Sequence, residues 1–185
     1  GEFMLHRADE KSATRRNGRG PSAVARIPKR AIRNHETLCE AYHYPKPVAF
    51  SRGMRVELGG AAMLFISGTA SVDEHGCSIH LGDFAAQTLR VFANLTALLN
   101  SEGADWADVV RTTCYLVDFR HYQEFNDIRN RFFAEQALDP LPASTCVQAG
   151  LCRPELLVEI ELIAVIPQDR APQEAHGNGS PRKPR

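Results

Sequence analysis

The sequence predicts an α+β fold, a two-layer sandwich in which two helices cover one face of a single mixed sheet. Three observations lead to this prediction. Apolar residues recur with helical period in two segments, and five other segments read as strands because they alternate or form short apolar runs. Along the chain the order is strand, strand, helix, strand, helix, strand, strand, which suits one sheet with both helices on the same side.

The first strands and the first helix have recognisable boundaries. Strands are predicted at residues 49–56 and 63–67, with a Gly-Gly turn between them. Asp83 is placed to cap a helix that runs to about residue 100, because its carboxylate can accept hydrogen bonds from the first free amides. Gly103 is placed to end that helix.

The second half of the chain contains a strand, a helix and a shorter strand. Residues 109–117 read as a buried strand, and residues 144–148 as the shorter one. Between them a helix is predicted over residues 122–135. Its inward stripe comprises Tyr122, Phe125, Ile128, Phe132 and Phe133.

The last strand is distinctive because it carries two carboxylates inside an apolar run. With period two, Glu159 and Glu161 point to one face while an apolar series points to the other. That series comprises Leu156, Val158, Ile160, Leu162, Ala164 and Ile166. Leu157 and Ile163 flank the two carboxylates, which is unusual for a solvated face and suits a pocket or a subunit contact. We therefore expect the chemistry to lie on the glutamate face.

The glutamate face of the predicted sheet has no cover within the chain. The two helices account for the other face, and no remaining segment is predicted to pack on this one. We therefore expect self-association, with neighbouring copies burying the glutamate face.

Both ends of the chain are predicted to be disordered tails. Residues 1–34 are basic and polar without apolar periodicity, and residues 168–185 are rich in Pro, Gly, Ser and charge. The three residues before Met4 are interpreted as a cloning remnant. One domain, residues 35–167, is expected between the tails.

Composition excludes several classes of function. Lys and Arg balance Asp and Glu at 22 each, although basic residues crowd the start of the chain. That basic run lacks apolar periodicity and reads as a solvated tail, so nucleic acid is not expected as a partner. No apolar run approaches the ~20 residues of a membrane-spanning helix, and with no export signal visible a cytoplasmic location is expected. The five cysteines are read as reduced thiols whose spacing fits no zinc pattern, so no metal is expected.

Short motifs between residues 50 and 167 resemble the RidA/YjgF superfamily. The matching residues are Phe65-Ile66-Ser67-Gly68-Thr69, Ala85-Ala86-Gln87-Thr88, Asn94, Gly103-Ala104, Asp108-Val109-Val110, Asn126 and Val158-Glu159-Ile160-Glu161. The resemblance implies a homotrimer with a chorismate-mutase-like α+β fold and sites at the subunit interfaces. It also implies a small carboxylate substrate, with neither a metal nor an organic cofactor.

A narrower resemblance is to the carboxy-terminal half of chorismatases. It is carried by Ala49-Phe50-Ser51-Arg52, Ser67-Gly68-Thr69-Ala70-Ser71, His80-Leu81-Gly82-Asp83 and Cys152-Arg153-Pro154-Glu155, followed by the glutamate strand. Chorismatases have a further amino-terminal half that contributes to their substrate pocket, and the sequence leads us to expect no counterpart of that half here. A neighbouring subunit could take that role.

One position departs from the pattern of the superfamily's imine deaminases. Those enzymes hold the substrate carboxylate with an arginine on the strand before the glutamate strand, and Ser144 stands at that position here. Arg153 is a candidate to supply the charge instead, because a guanidinium binds a carboxylate through two parallel hydrogen bonds.

Five residues form the predicted site. Glu159 is the candidate catalytic acid/base, because a carboxyl group enclosed at an interface has a raised pKa and can donate a proton near neutral pH. The candidate substrate-binding residues are Arg153, Cys146, Ser67 and Ser144. If residues 149–155 turn a hairpin, Cys146 lies beside Glu159 across the ladder; a buried structural thiol is the alternative. Glu161 is expected to form a structural ion pair.

The expected reaction is addition of water to a polarised double bond of a small carboxylate. In its chorismatase-like form, Glu159 protonates the methylene carbon of an enolpyruvyl ether, and pyruvate leaves. The alternative is an imine or enamine deaminase of the RidA or 2-aminomuconate deaminase type, which releases ammonia. A non-catalytic trimer that binds carboxylate metabolites is a further alternative. Ribonuclease activity ranks last, because the sequence shows no paired histidines or stacking aromatic platform.

Overall fold

Six strands and two α-helices are formed by residues 26–44 and 46–170, the part of the chain that the computed structural model describes. The strands are β1 (Lys29–Ile32), β2 (Gly53–Leu58), β3 (Ala61–Ala70), β4 (Val109–Leu116), β5 (Ala143–Gln148) and β6 (Val158–Pro167). The helices are α1 (Phe84–Asn100) and α2 (Tyr122–Glu135). Both helices and all five predicted strands are present, so the predicted α+β class is confirmed.

All six strands belong to one mixed sheet, in the order β1-β2-β3-β6-β4-β5. β4 and β5 are parallel because α2 supplies the crossover between them, and the other neighbours are antiparallel. β6 therefore lies in the interior of the sheet. Its register places Glu159 opposite Ala70 of β3 on one side and Tyr115 of β4 on the other.

The core lies between the sheet and the two helices. Asp83 caps α1 as predicted, accepting a hydrogen bond from the Ala86 amide at 2.9 Å. The predicted apolar series of β6 is confirmed, since none of its six residues is more than 2% exposed. Tyr122 was predicted inward but is 43% exposed, because it stands at the first position of α2 beside the exposed Phe119. No helix in the described ranges has the length and apolar character to cross a membrane.

Both predicted tails are wrong where they meet the domain. Within the first, β1 pairs with β2, and Arg30 donates two hydrogen bonds to the buried Glu102 carboxylate at 2.7 and 2.6 Å. Residues 29–32 are therefore part of the sheet, although Lys29 and Arg30 are exposed. At the other end, the Gln168 side chain accepts a hydrogen bond from the Gly60 amide at 3.0 Å. Residues 1–25, including the predicted cloning remnant, and residues 171–185 lie outside the described part.

Candidate functional site

Glu159 lies on the sheet face opposite the helices, which we call the open face. This face carries Met54, Phe65, Glu159, Glu161 and Ile163. Glu159 is the second residue of β6, and its carboxylate packs against Gly68 of β3. A Cβ added to Gly68 would lie 2.9 Å from Cδ of Glu159 and closer still to its Oε1. A side chain at position 68 would therefore force the Glu159 carboxylate to move.

A β-bulge in β3 creates the close approach. Ile66 pairs with Leu162 and Thr69 with Ile160, so Ser67 and Gly68 together oppose the single residue Glu161. A bulge bends the strand locally and redirects side chains, and bulges are frequent next to active sites. Here it brings the backbone of Gly68 close to the carboxylate of Glu159, two residues before Glu161 on β6.

The environment of Glu159 favours its protonated form. Burial raises the pKa of the Glu159 carboxyl, and the negative charge of Glu161 raises it further. Glu161 accepts a hydrogen bond from the Tyr115 hydroxyl at 3.2 Å. The ion pair predicted for Glu161 is not formed with any described residue. The pair of carboxylates thus provides one group, Glu159, whose affinity for a proton is raised and which can act as an acid.

A cavity of about 380 Å³ opens on the open face. Phe50, Met54 and Phe65 give it apolar walls, while Ser67, Arg111 and Glu161 contribute polar groups. Its size and mixed lining suit a small polar molecule. Arg111 was not predicted from the sequence. Within the described ranges, no group of three or more His, Cys, Asp or Glu side chains is placed to hold a metal ion.

Two of the predicted binding residues are engaged by protein groups. The Ser67 hydroxyl lines the cavity but donates to the Ser51 carbonyl at 2.7 Å. Arg153 donates to the Gly76 carbonyl at 2.7 Å and to the Ser78 hydroxyl at 3.1 Å, and its guanidinium lies 5.0 Å from the centre of the Tyr44 ring. Arg153 therefore joins two loops at the end of the sheet where β6 begins, and its binding role stays a prediction.

Cys146 does not lie beside Glu159, because the predicted hairpin between β5 and β6 is wrong. β4 separates these strands, and both ends of the connecting segment bond to the end of β4 instead. Cys146 is in register with the buried Cys114, on the helix side of the sheet. Burial raises the pKa of the Cys146 thiol. In a single chain, Cys146 and Glu159 therefore face opposite sides of the sheet.

Ser144 shares the helix side with Cys146 and contacts a residue that the sequence analysis missed. Arg129 of α2 donates from Nη1 to the Ser144 hydroxyl at 3.2 Å. Its Nη2 donates to Oδ1 of Asn126, one turn earlier, at 2.6 Å. Residues three apart share a face of a helix, so the spacing of Asn126 and Arg129 is the signal that could have paired them.

One family profile and several known proteins match this chain in sequence. The profile of the family described as Endoribonuclease L-PSP matches residues 45–166. A 3-aminoacrylate deaminase, RutC of Acinetobacter baylyi, is 33% identical over 102 residues, which are 55% of this chain and 78% of that protein. A RutC family protein of Pyrococcus abyssi is 31% identical over 121 residues, 65% of this chain and 89% of that protein.

Solved structures match over nearly their whole length. The YjgF gene product of E. coli is 26% identical with a TM-score of 0.59, covering 74% of this chain and 98% of that one. Yeast Mmf1 shares the fold at 19% identity, with a TM-score of 0.60 and coverage of 75% and 98%. The family profile matches residues 45–166, which include both helices and every strand except β1 and the last residue of β6, so the chain belongs to the endoribonuclease L-PSP family, also called RidA/YjgF.

Proposed function

We propose that this protein is a deaminase that hydrolyses an enamine or imine of a small carboxylate, such as an aminoacrylate. The observation that carries the proposal is the Glu159 carboxyl, held on Gly68 with a raised pKa, in a chain 33% identical to a 3-aminoacrylate deaminase. This relative favours deamination over the chorismatase-like hydrolysis that was the first expectation from the sequence.

The proposed reaction needs one group that gives and then regains a proton. Protonated Glu159 donates to the carbon of the enamine C=C bond, which leaves an iminium ion. Water then adds to the iminium carbon as the Glu159 carboxylate accepts one of its protons, which gives a carbinolamine. The remaining hydroxyl proton moves to the nitrogen as the C–N bond breaks and the C=O bond forms, so that ammonia is released. The products are ammonia and an oxo acid, and Glu159 ends in its starting form.

We further propose that the site is completed by a second copy of the chain in a homotrimer. Glu159 lies on the open face, whereas Ser144 and Cys146 lie on the helix side near the edge strand β5. These residues can contribute to one site only if they come from different copies. Apolar side chains on the open face, among them Phe65 at 40% and Val165 at 37% exposed, would be covered by the same association.

The test is a comparison of three substrates with the purified protein. Serine with a serine dehydratase generates 2-aminoacrylate in place, 3-aminoacrylate is supplied freshly made, and chorismate is tested separately. We expect ammonia to form from an aminoacrylate faster than without the protein, and no pyruvate from chorismate. Ammonia release at the uncatalysed rate from both aminoacrylates would refute the deaminase. Pyruvate from chorismate would then favour the chorismatase-like reaction, and a bound carboxylate recovered unchanged would favour the non-catalytic trimer.

RNA is not the proposed substrate, although the family's description names an endoribonuclease. The Glu161 carboxylate lines the cavity, and its negative charge would repel a phosphate backbone. RNA cleavage that Glu159→Gln abolishes would overturn this assignment.

Replacing Glu161 by glutamine should shift the pH dependence of the reaction. Glu159 must be protonated to act as the acid, so kcat/KM falls as pH rises through its pKa. The Glu161 charge is the second cause of the raised pKa, after burial, so removing it lowers that pKa. We expect the descending limb of kcat/KM against pH to move to lower pH. The control is Glu124→Gln, which removes an exposed carboxylate and should leave the pH profile unchanged. A descending limb that does not move in Glu161→Gln would contradict the assignment of Glu159 as the acid.

A further inference from the structure

Arg129 is a half-buried cation whose hydrogen bonds go to neutral groups. Its Nη1 and Nη2 donate to the Ser144 hydroxyl and the Asn126 side-chain carbonyl, and its guanidinium lies 5.2 Å from the centre of the Phe125 ring. Among residues 26–44 and 46–170, no carboxylate lies within 4.0 Å of it. Partly removing a cation from water without an opposite charge is unfavourable, so the position is suited to receive an anion.

The surroundings orient this guanidinium without neutralising it. The two acceptors and the Phe125 ring fix its plane, while the burial that raises the pKa of the nearby Cys146 thiol keeps that group uncharged at neutral pH. A fixed, planar guanidinium is suited to bind a carboxylate through two parallel hydrogen bonds. The small side chain of Ser144 leaves room for Arg129 to reach this edge of the sheet from α2.

We propose that Arg129 binds the carboxylate of the substrate, and that it does so next to Glu159 of a neighbouring copy. The inference rests on the proposed function and adds its specificity-determining residue. Arg129 on α2 would thereby supply the guanidinium that is absent from β5, where Ser144 stands at the arginine position. Arg129, rather than Arg153, would then bind the substrate carboxylate, because the Arg153 guanidinium already donates hydrogen bonds to Gly76 and Ser78.

A purely structural role for Arg129 makes a different prediction. If Arg129 only joins α2 to β5, its loss would lower thermal stability without changing the preference between a charged and a neutral ligand. Selectivity for a carboxylate is therefore the property to measure, and it can be measured by binding alone. If the protein binds aminoacrylates without converting them, the proposed function is refuted. The measurement of carboxylate selectivity still tests the role of Arg129.

The experiment is a calorimetric titration of the full chain with pyruvate and with the uncharged pyruvamide. We expect the wild type to prefer pyruvate, and Arg129→Gln to weaken pyruvate binding about ten- to a hundredfold while leaving pyruvamide unchanged, as expected for loss of charged hydrogen bonds. The control is Arg131→Gln, which removes an exposed arginine from the same helix. Arg129→Lys should bind with intermediate affinity, because it keeps the charge and loses the planar geometry.

A double variant that moves the arginine to the strand separates loss of binding from a folding defect. The double variant Arg129→Ser with Ser144→Arg moves the guanidinium from the helix to the strand, and we expect it to regain the preference for pyruvate that Arg129→Ser alone loses. Wild type that binds pyruvate no better than pyruvamide, or Arg129→Gln that keeps the wild-type preference, would overturn the proposal.

Discussion

Replacing Glu159 by glutamine is expected to lower kcat/KM for an aminoacrylate by about 10²–10⁴-fold, the range typical of losing a general acid. Glutamine has nearly the same shape and still fits beside Gly68, so the local packing is retained. It carries no proton that can be transferred to the enamine carbon. The measurement is the initial rate of ammonia release with a coupled assay, corrected for the uncatalysed reaction.

The matched control for this change is Glu161→Gln on the same strand and face. The comparison is made at a pH below the descending limb of kcat/KM for both the wild type and Glu161→Gln. There Glu161→Gln should keep most of the wild-type activity, because Glu161 adjusts the pKa of Glu159 and does not transfer the proton. Circular dichroism and thermal melting of both variants establish that the fold is kept. Wild-type kcat/KM in a folded Glu159→Gln variant would remove Glu159 from the mechanism.

Replacing Gly68 by alanine is expected to lower kcat/KM by about 10²-fold, the size of effect that a displacement of a catalytic group by about 1 Å can have. The new Cβ would overlap Glu159, so the carboxylate must move from its place on the bulge. We expect the rate to fall while the affinity for substrate is largely kept, because the change displaces the acid Glu159 and not Arg129, the proposed carboxylate anchor.

Gly150 offers a matched control for the added methyl group. A Cβ at Gly150 meets no atom within 4 Å, so Gly150→Ala adds the same group without displacing a neighbour. We expect Gly150→Ala to keep wild-type kcat/KM. Equal activity of Gly68→Ala and Gly150→Ala would show that the position of the Glu159 carboxylate does not control the rate.

The local features of the glutamate strand were predictable from the sequence. Period two alone places the apolar series from Leu156 to Ile166 in the core and Glu159 on the opposite face, because alternation in a strand is set by backbone geometry. The N-cap of α1 followed from Asp83, and the extent of α2 followed from the helical spacing of apolar residues such as Phe125 and Phe133. These predictions depend only on residues close together in the chain.

The features that were missed depend on long-range pairing. The hairpin between β5 and β6 assumed that consecutive strands are neighbours, whereas the α2 crossover places β5 on the far edge of β4. Cys146 consequently lies on the wrong side of the sheet for contact with Glu159 within one chain. β1 was missed for a similar reason, since the partner of Arg30 is Glu102, 72 residues away. No local pattern identifies either contact.

A subunit complementation experiment tests the central claim most directly, namely that the proposed deaminase site combines Glu159 of one copy with the helix side of another. Glu159→Gln and Arg129→Gln chains with different tags are co-expressed, and mixed assemblies are purified alongside each parent. In a closed trimer every mixed assembly holds one intact site, so an equal unfractionated mixture should recover about one quarter of wild-type activity. Mixed assemblies no more active than the average of the two parents would contradict a site shared between copies.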